Sequence, residues 1–151
     1  MQAVNPVFQA LFEDPSNREC FECKAKNVQW ASVNNGIFIC MNCSGKHRGF
    51  TVELSFVRST TMDEWSDKQL QKMRLGGNAK LTQFLSQYQI AHEPPADKYK
   101  TKACRWYREM VFPNPKLKKF SLKLHQKVSQ CKRKHPRLKR AELLLRSNVG
   151  L

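Results

Sequence analysis

Residues 20–48 read CFECKAKNVQWASVNNGIFICMNCSGKHR, in which two C-x-x-C pairs, Cys20/Cys23 and Cys40/Cys43, flank sixteen intervening residues. Four thiols at this spacing point to one closed zinc site. Each pair turns back tightly enough to offer both sulfurs to one ion, and sulfur-only ligation suits zinc among the common metals. A redox pair, a disulfide or an iron site are the alternative readings. Two pairs exceed what a thiol-redox motif needs, and the composition carries no sign of a secreted chain. With four protein ligands no coordination position remains for water, so such a metal holds shape and its importance lies in what it positions.

Outward from the cysteines, Asn34-Asn35-Gly36 is a strong turn signal. The β-prone Ile37-Phe38-Ile39 then runs directly into Cys40. After the polar residues 24–27 the chain reaches Val28 and Trp30, and an indole between ligand pairs adds apolar burial to a small metal module. On the far side, Ser44 is a candidate cap for a short helix through Lys46, His47 and Arg48, and residues 52–58 alternate weakly as a strand. Upstream, NPVFQALF at residues 5–12 suggests a short helix with Phe8, Leu11 and Phe12 on its apolar side.

Downstream the pattern is helical. Thr61 and Glu64 match a capping box opening a helix to about Leu75, with Trp65, Leu70 and Met73 inward and Gly76-Gly77 as its stop. Asn78 is the expected cap of the next helix, whose face is Leu81, Phe84, Leu85 and Tyr88. Asp97 is a further candidate cap, ahead of a stripe formed by Tyr99, Ala103, Trp106 and Met110. Asn114-Pro115 opens another helix with Leu117, Phe120, Leu124 and Val128 on one side, and a short final helix is expected around Leu138, Ala141, Leu144 and Leu145. The expected fold class is α+β: a small four-cysteine zinc-finger module with a short β-sheet, packed against several α-helices. The compact domain is expected over residues 1–128, with a basic C-terminal extension at 129–151.

At 151 residues the chain suits one compact domain. Its formal charge of +15 is concentrated at the end, where residues 113–151 carry 12 Lys or Arg against a single acid, Glu142. No apolar run reaches membrane-spanning length, and residues 1–14 lack the basic start and apolar stretch of a signal peptide. Cys104 and Cys131 have no local partner and read as buried or free thiols.

Arg48 lies five positions after Cys43 and Arg58 ten further on. An arginine held by a rigid metal module presents a fork of donors where negative charge develops on a transferring phosphoryl group. The bland reading is a surface arginine in a local ion pair or phosphate contact. His47 is a poor ligand, because four sulfurs already complete the site; it packs or hydrogen-bonds locally. No Ser-His-Asp set, paired carboxylates or nucleotide-binding glycine loop can be assembled, so bond-breaking groups must come from a partner.

The run C-x2-C-x16-C-x2-C-x4-R resembles the zinc-finger domain of GTPase-activating proteins for ADP-ribosylation factors. The similarity continues through SFVRSTTMDEW, KMRLGGNAK and YKTKACRWYREM, over roughly residues 5–125. The resemblance implies that Cys20, Cys23, Cys40 and Cys43 hold one structural zinc and that Arg48 is the catalytic arginine. It likewise implies that Trp30 shapes the surface beside Arg48, that Arg58 and Asp63 support the site or bind the partner, that Gly76, Gly77 and Asn78 join two helices, and that Tyr107-Arg108 belong to a late helix. GTP and Mg²⁺ would be carried by an ADP-ribosylation-factor-type small GTPase, on which hydrolysis takes place.

The same resemblance implies a cytoplasmic protein in vesicle-mediated transport, recruited transiently to Golgi or other endomembranes, and a monomer is the default expectation. The basic extension is then a candidate for anionic membrane. Nucleic acid is the weaker reading, since the dense cationic run 132–140 has no interleaved aromatic for base stacking. The chain departs from the family pattern after Arg48, where Thr51 stands in place of a glycine and Glu53 in place of a histidine. That departure keeps a second expectation open, a zinc-stabilised adaptor that binds a small GTPase or membrane with little catalysis.

Overall fold

The computed structural model describes residues 5–112. In chain order these form α1 (Pro6–Leu11), a 3-10 turn (Pro15–Arg18), β1 (Val28–Ser32), β2 (Ile37–Cys40), α2 (Met41–Arg48), β3 (Val57–Ser59), α3 (Asp67–Leu75), α4 (Asn78–Ser86), α5 (Pro95–Lys98) and α6 (Lys102–Val111). The three strands make an antiparallel sheet in the order β2-β1-β3. The fold is therefore the expected α+β arrangement. The helices expected around Leu117–Val128 and Leu138–Leu145, Cys131 and the boundary at residue 128 lie outside the described residues.

Strand β2 is buried at all four positions, which is why its sequence is continuously apolar instead of alternating. Its side chains still divide by period two. Phe38 joins Phe8, Ala31, Leu70 and Met73 in a core with α1 and α3, where Phe8 meets Phe38 and Trp65 edge-on. Ile37 and Ile39 point the other way, into a second core with Leu81, Phe84, Leu85, Tyr99 and Tyr107. Each fully buried Phe or Ile contributes about 1.5–3 kcal/mol, so both faces of this strand weigh heavily in stability.

The two turn signals in the sequence meet in space. Gly36, at φ +66°, packs backbone to backbone against Gly76, and the Gly77 N–H donates to Gly36 O at 2.7 Å. A Cβ on Gly76 would stand 2.7 Å from Gly36 O, and one on Gly36 would stand 2.7 Å from Phe112 Cζ. The close approach leaves no room for a side chain on either residue.

Several expectations are corrected. Val28–Ser32 is a strand, to which the sequence reading assigned none. The capping box lies at Ser66 and Gln69, not Thr61 and Glu64. Residues 59–65 are committed to a turn around Ser59, whose Oγ accepts from Thr61 N and Met62 N while its carbonyl accepts from Trp65 Nε1. Of the expected strand 52–58 only residues 57 and 58 are strand, and β3 ends one residue later, at Ser59. Asn34 and Asn35 side chains donate to the carbonyls of Val52, Glu53 and Leu54, and so withdraw them from any ladder.

Helix α2 begins at Met41 with Cys40 at its cap, and Ser44 lies inside it, bonded back to Met41 O. Gly77, at φ +115°, occupies the cap position expected for Asn78, while Asp97 lies inside the short α5, whose cap is Pro94. Thr101 caps α6 by accepting from Cys104 N, so Tyr99 falls before that helix. Its inward residues are Cys104 and Tyr107, while Met110 is exposed. Leu75 is also partly exposed at the end of α3.

Candidate functional site

The first cysteine pair sits in a tight loop, closed by Lys24 N to Cys20 O at 2.9 Å and Cys20 N to Ala25 O at 2.8 Å. Lys24 takes a left-handed conformation, φ +64°, to turn the chain back. The second pair comes from the end of β2 and the first turn of α2, at a spacing that puts Cys40 and Cys43 on one side of the helix start. All four sulfurs lie within 4.8 Å of one another. Cys23 and Cys40 Sγ are 3.6 Å apart, close to the separation of about 3.8 Å expected across a tetrahedral zinc–thiolate centre.

At this spacing the four thiols perturb one another. Burial pushes the Cys20 and Cys43 thiols up, and Cys43 also feels the neighbouring Cys20 charge. Burial acts on Cys40 as well, but the Cys43 N–H and the neighbouring thiols outweigh it and draw Cys40 down to about 7. Four thiolates packed this tightly require a cation among them. The four residues thus fit a structural metal.

From Cys43 the eight-residue α2 runs straight to Arg48, its last residue. Lys46, His47 and Arg48 are all in the final turn, where the helix dipole favours positive charge. Arg48 is exposed, and its Cζ lies 4.6 Å from the centre of the Trp30 ring. Trp30 follows an irregularity in β1, where the register against β2 slips between Val28 and Trp30. Bulges of this kind re-aim side chains beside functional sites. The half-buried indole is thereby a platform for the guanidinium.

Arg58 and Asp63 are placed differently. In the β1–β3 register Trp30 faces Ser59 and Arg58 faces Ala31, so Trp30 and Arg58 leave the sheet from opposite faces. Arg58 stacks over Phe56 at 5.1 Å, and its buried Nε has no hydrogen-bond partner among the described residues. Asp63 Oδ2 accepts from Ser59 N at 2.6 Å and holds the turn after β3. Arg48 and Trp30 are thus brought together, whereas among the described residues Arg58 stacks on Phe56 and Asp63 bonds to Ser59, away from that pair.

A buried polar chain lies behind Arg48. His47 is fully buried; its Nδ1 is 2.7 Å from Ser55 Oγ and its Nε2 3.0 Å from Glu22 Oε1. Ser55 Oγ is 2.8 Å from Ser32 Oγ, which accepts from Asn35 Nδ2 at 2.8 Å. Arg108 of α6 donates to Asn35 Oδ1 and to Tyr99 O, both at 3.1 Å. Glu22 also accepts from Lys98 Nζ at 3.0 Å and from the Tyr99 hydroxyl. Burial alone would raise the Glu22 carboxyl, but the His47, Tyr99 and Lys98 donors overcome it and hold it at about 2. Burial, and after it the same carboxylate, pushes Tyr99 well up.

His47 lies outside the four-sulfur cluster and is packed in the interior, as expected, and Cys104 is buried, but the bonds of His47 are not local in the chain, with partners 8 and 25 positions away. The partners of His47 were not foreseen. Glu22 reaches residues as far as 77 positions away, and no periodicity or motif in the sequence announces such pairs.

The ArfGap family model, described as a GTPase activating protein for Arf, matches residues 5–118. The ADP-ribosylation factor GTPase-activating protein 3 of Rattus norvegicus is 43% identical over 111 residues, 73% of this chain and 21% of that protein. The ADP-ribosylation factor GTPase-activating protein GCS1 of Saccharomyces cerevisiae is 41% identical over 97 residues, 64% of this chain and 28% of its own length. A Cryptosporidium parvum crystal structure, assigned as a GTPase activating protein for ADP ribosylation factor, superposes with a TM-score of 0.65 at 34% identity. That match covers 70% of this chain and 86% of the other. The chain therefore spans between a fifth and a third of the length of these two curated relatives.

Proposed function

This chain belongs to the ArfGap family of GTPase-activating proteins for Arf, and we propose that it accelerates GTP hydrolysis on an ADP-ribosylation-factor-type small GTPase by supplying Arg48 in trans. The observation that carries this reading is an exposed guanidinium at the end of a metal-anchored helix, stacked 4.6 Å from the Trp30 ring centre. Such a group is charged, accessible and held by a rigid support, so little freedom is lost when it meets a phosphate. The GTPase contributes bound GTP, Mg²⁺ and the group that orients water. Arg48 neutralises charge that develops on the β- and γ-phosphates, a role worth about 10³–10⁵ in rate when an arginine is supplied in trans.

Cys20, Cys23, Cys40 and Cys43 hold a structural zinc in this reading. The ion fixes the start of α2 and performs no chemistry. Arg58 and Asp63 act further out: Asp63 braces the turn after β3, and the half-buried Arg58, stacked on Phe56, brings a positive charge toward the partner surface. No described helix is long and apolar enough to cross a membrane. In this reading the protein is a monomer that works in the cytoplasm, and the positive charge of segment 113–151 supports its attraction to anionic endomembranes such as the Golgi. Deleting residues 129–151 then weakens binding to acidic vesicles at low salt, and unchanged binding overturns that role.

The deciding assay for the activity is single-turnover hydrolysis by a panel of GTP-loaded ADP-ribosylation factors mixed with zinc-loaded protein. Acceleration on one or more members is expected. Folded, zinc-loaded protein that accelerates none of them refutes the proposal.

A further inference from the structure

We infer that the hydrogen-bonded relay His47–Ser55–Ser32 is a positioning device that clamps the helix carrying Arg48 to the strand carrying Trp30, and so sets the pose of the guanidinium. The inference rests on the proposed role of Arg48. Its physical basis is connectivity. His47 and Arg48 are consecutive on α2, while Trp30 and Ser32 are two apart on β1 and share a face of the strand. Between the two elements stands one residue, Ser55, with its hydroxyl 2.7 Å from His47 Nδ1 and 2.8 Å from Ser32 Oγ. The 4.6 Å stack of Arg48 on Trp30 is the exposed end of the same helix–strand contact.

The donors run in one consistent direction. Arg108 donates to Asn35 Oδ1 and Asn35 Nδ2–H to Ser32 Oγ, and the chain is satisfied when the Ser32 hydroxyl donates to Ser55, the Ser55 hydroxyl to His47 Nδ1 and His47 Nε2–H to Glu22, with Asn34 Oδ1 at 3.4 Å a second acceptor for Ser32. This arrangement leaves no member without a partner. Asn35 spends its second amide hydrogen on Leu54 O at 2.8 Å. Ser32, Asn35, His47 and Ser55 are each no more than 3% exposed, so water cannot replace a missing link. A polar chain this dry has one low-energy arrangement, and its rigidity passes to whatever it joins. A packed apolar contact would hold the two elements together too, but it would leave their rotation and sliding less specified.

The variants that test the relay are Ser55→Ala, which removes its middle, and Ser32→Ala, which removes its strand end. Ser55→Thr keeps the hydroxyl. Two readouts are needed. In single-turnover assays on an accelerated GTPase, each alanine variant should lower the saturating rate roughly tenfold, because small displacements of a reacting group carry losses of up to 10². The half-saturating concentration should stay within about twofold, since the surface residues are untouched.

Independently of any GTPase, fluorotryptophan-labelled protein gives a ¹⁹F resonance for Trp30, assigned among the three tryptophans by Trp30→Phe. In Ser55→Ala and Ser32→Ala this resonance should move toward its position in Arg48→Ala, and in Ser55→Thr it should return toward wild type. A Trp30 resonance that stays at its wild-type position in folded Ser55→Ala and Ser32→Ala overturns the inference, whatever the kinetics. So do saturating rates equal to wild type. If wild-type protein accelerates no GTPase, the function itself fails, and the ¹⁹F measurement still decides whether the relay sets the pose of Arg48.

Discussion

Replacing Trp30 by leucine separates the support of Arg48 from its chemistry. Leucine keeps an apolar side chain between β1 and α2 but removes the ring face, 4.6 Å from Arg48 Cζ. An exposed cation–π contact is worth about 0.5–1 kcal/mol. If the stack serves to hold Arg48 ready, its loss lowers the saturating single-turnover rate by about 2- to 5-fold, the factor to which that energy corresponds. Removal of the arginine itself costs about 10³ or more. Trp30→Phe, which retains a smaller aromatic face, should fall between wild type and Trp30→Leu. The assay is single-turnover hydrolysis at saturating activator, with zinc content and melting checked for each variant. A Trp30→Leu rate identical to wild type would mean that the stack is idle. A rate as low as that of an arginine-less variant would mean that the indole does far more than support the cation. Either result refutes the reasoning.

Three other outcomes follow from the same contacts. Cys23→Ala should lose bound metal and melt at lower temperature together, because a structural metal's binding free energy is largely folding free energy; metal loss without a change in melting would contradict the closed four-sulfur site. Asn78→Ala should cost about 3–5 kcal/mol in urea unfolding, since it leaves the buried Phe38 N–H without its 2.8 Å acceptor and removes donors to the Ser16 and Glu19 carbonyls. Asn78→Asp should be no better, because a carboxylate would face those carbonyl oxygens. Glu22→Gln should destabilise the fold by roughly 3–5 kcal/mol by leaving the buried Lys98 ammonium without its anion; equal unfolding midpoints for wild type and variant would refute that pairing.

The parts of the fold that could be read from the sequence are those set by local rules. The cysteine spacing, the Asn-Asn-Gly turn, the Ile37-Phe38-Ile39 strand and the Gly76-Gly77 break each depend on neighbours within a few positions. They appear where expected. The helix caps were misplaced where a side chain had a distant obligation. Asn78 looks like a cap by composition, yet its amide is drawn inward by carbonyls about 60 and 40 residues away, and Gly77 takes over the cap. Residues 52–56 look like strand, yet two asparagines from the preceding turn capture their backbone groups. Trp30 and Arg48 were legible as a pair only through the family pattern. The register slip that aims the indole and the chain from Glu22 to Arg108 have no local signature at all.

The most direct test of the account is the Arg48→Lys variant, measured against wild type with one GTP-loaded ADP-ribosylation factor under single-turnover conditions. Lysine preserves the charge but not the planar fork of donors. The account predicts that zinc content and GTPase binding stay at wild-type levels while acceleration falls by about 10³. Equal acceleration by the two proteins would contradict it.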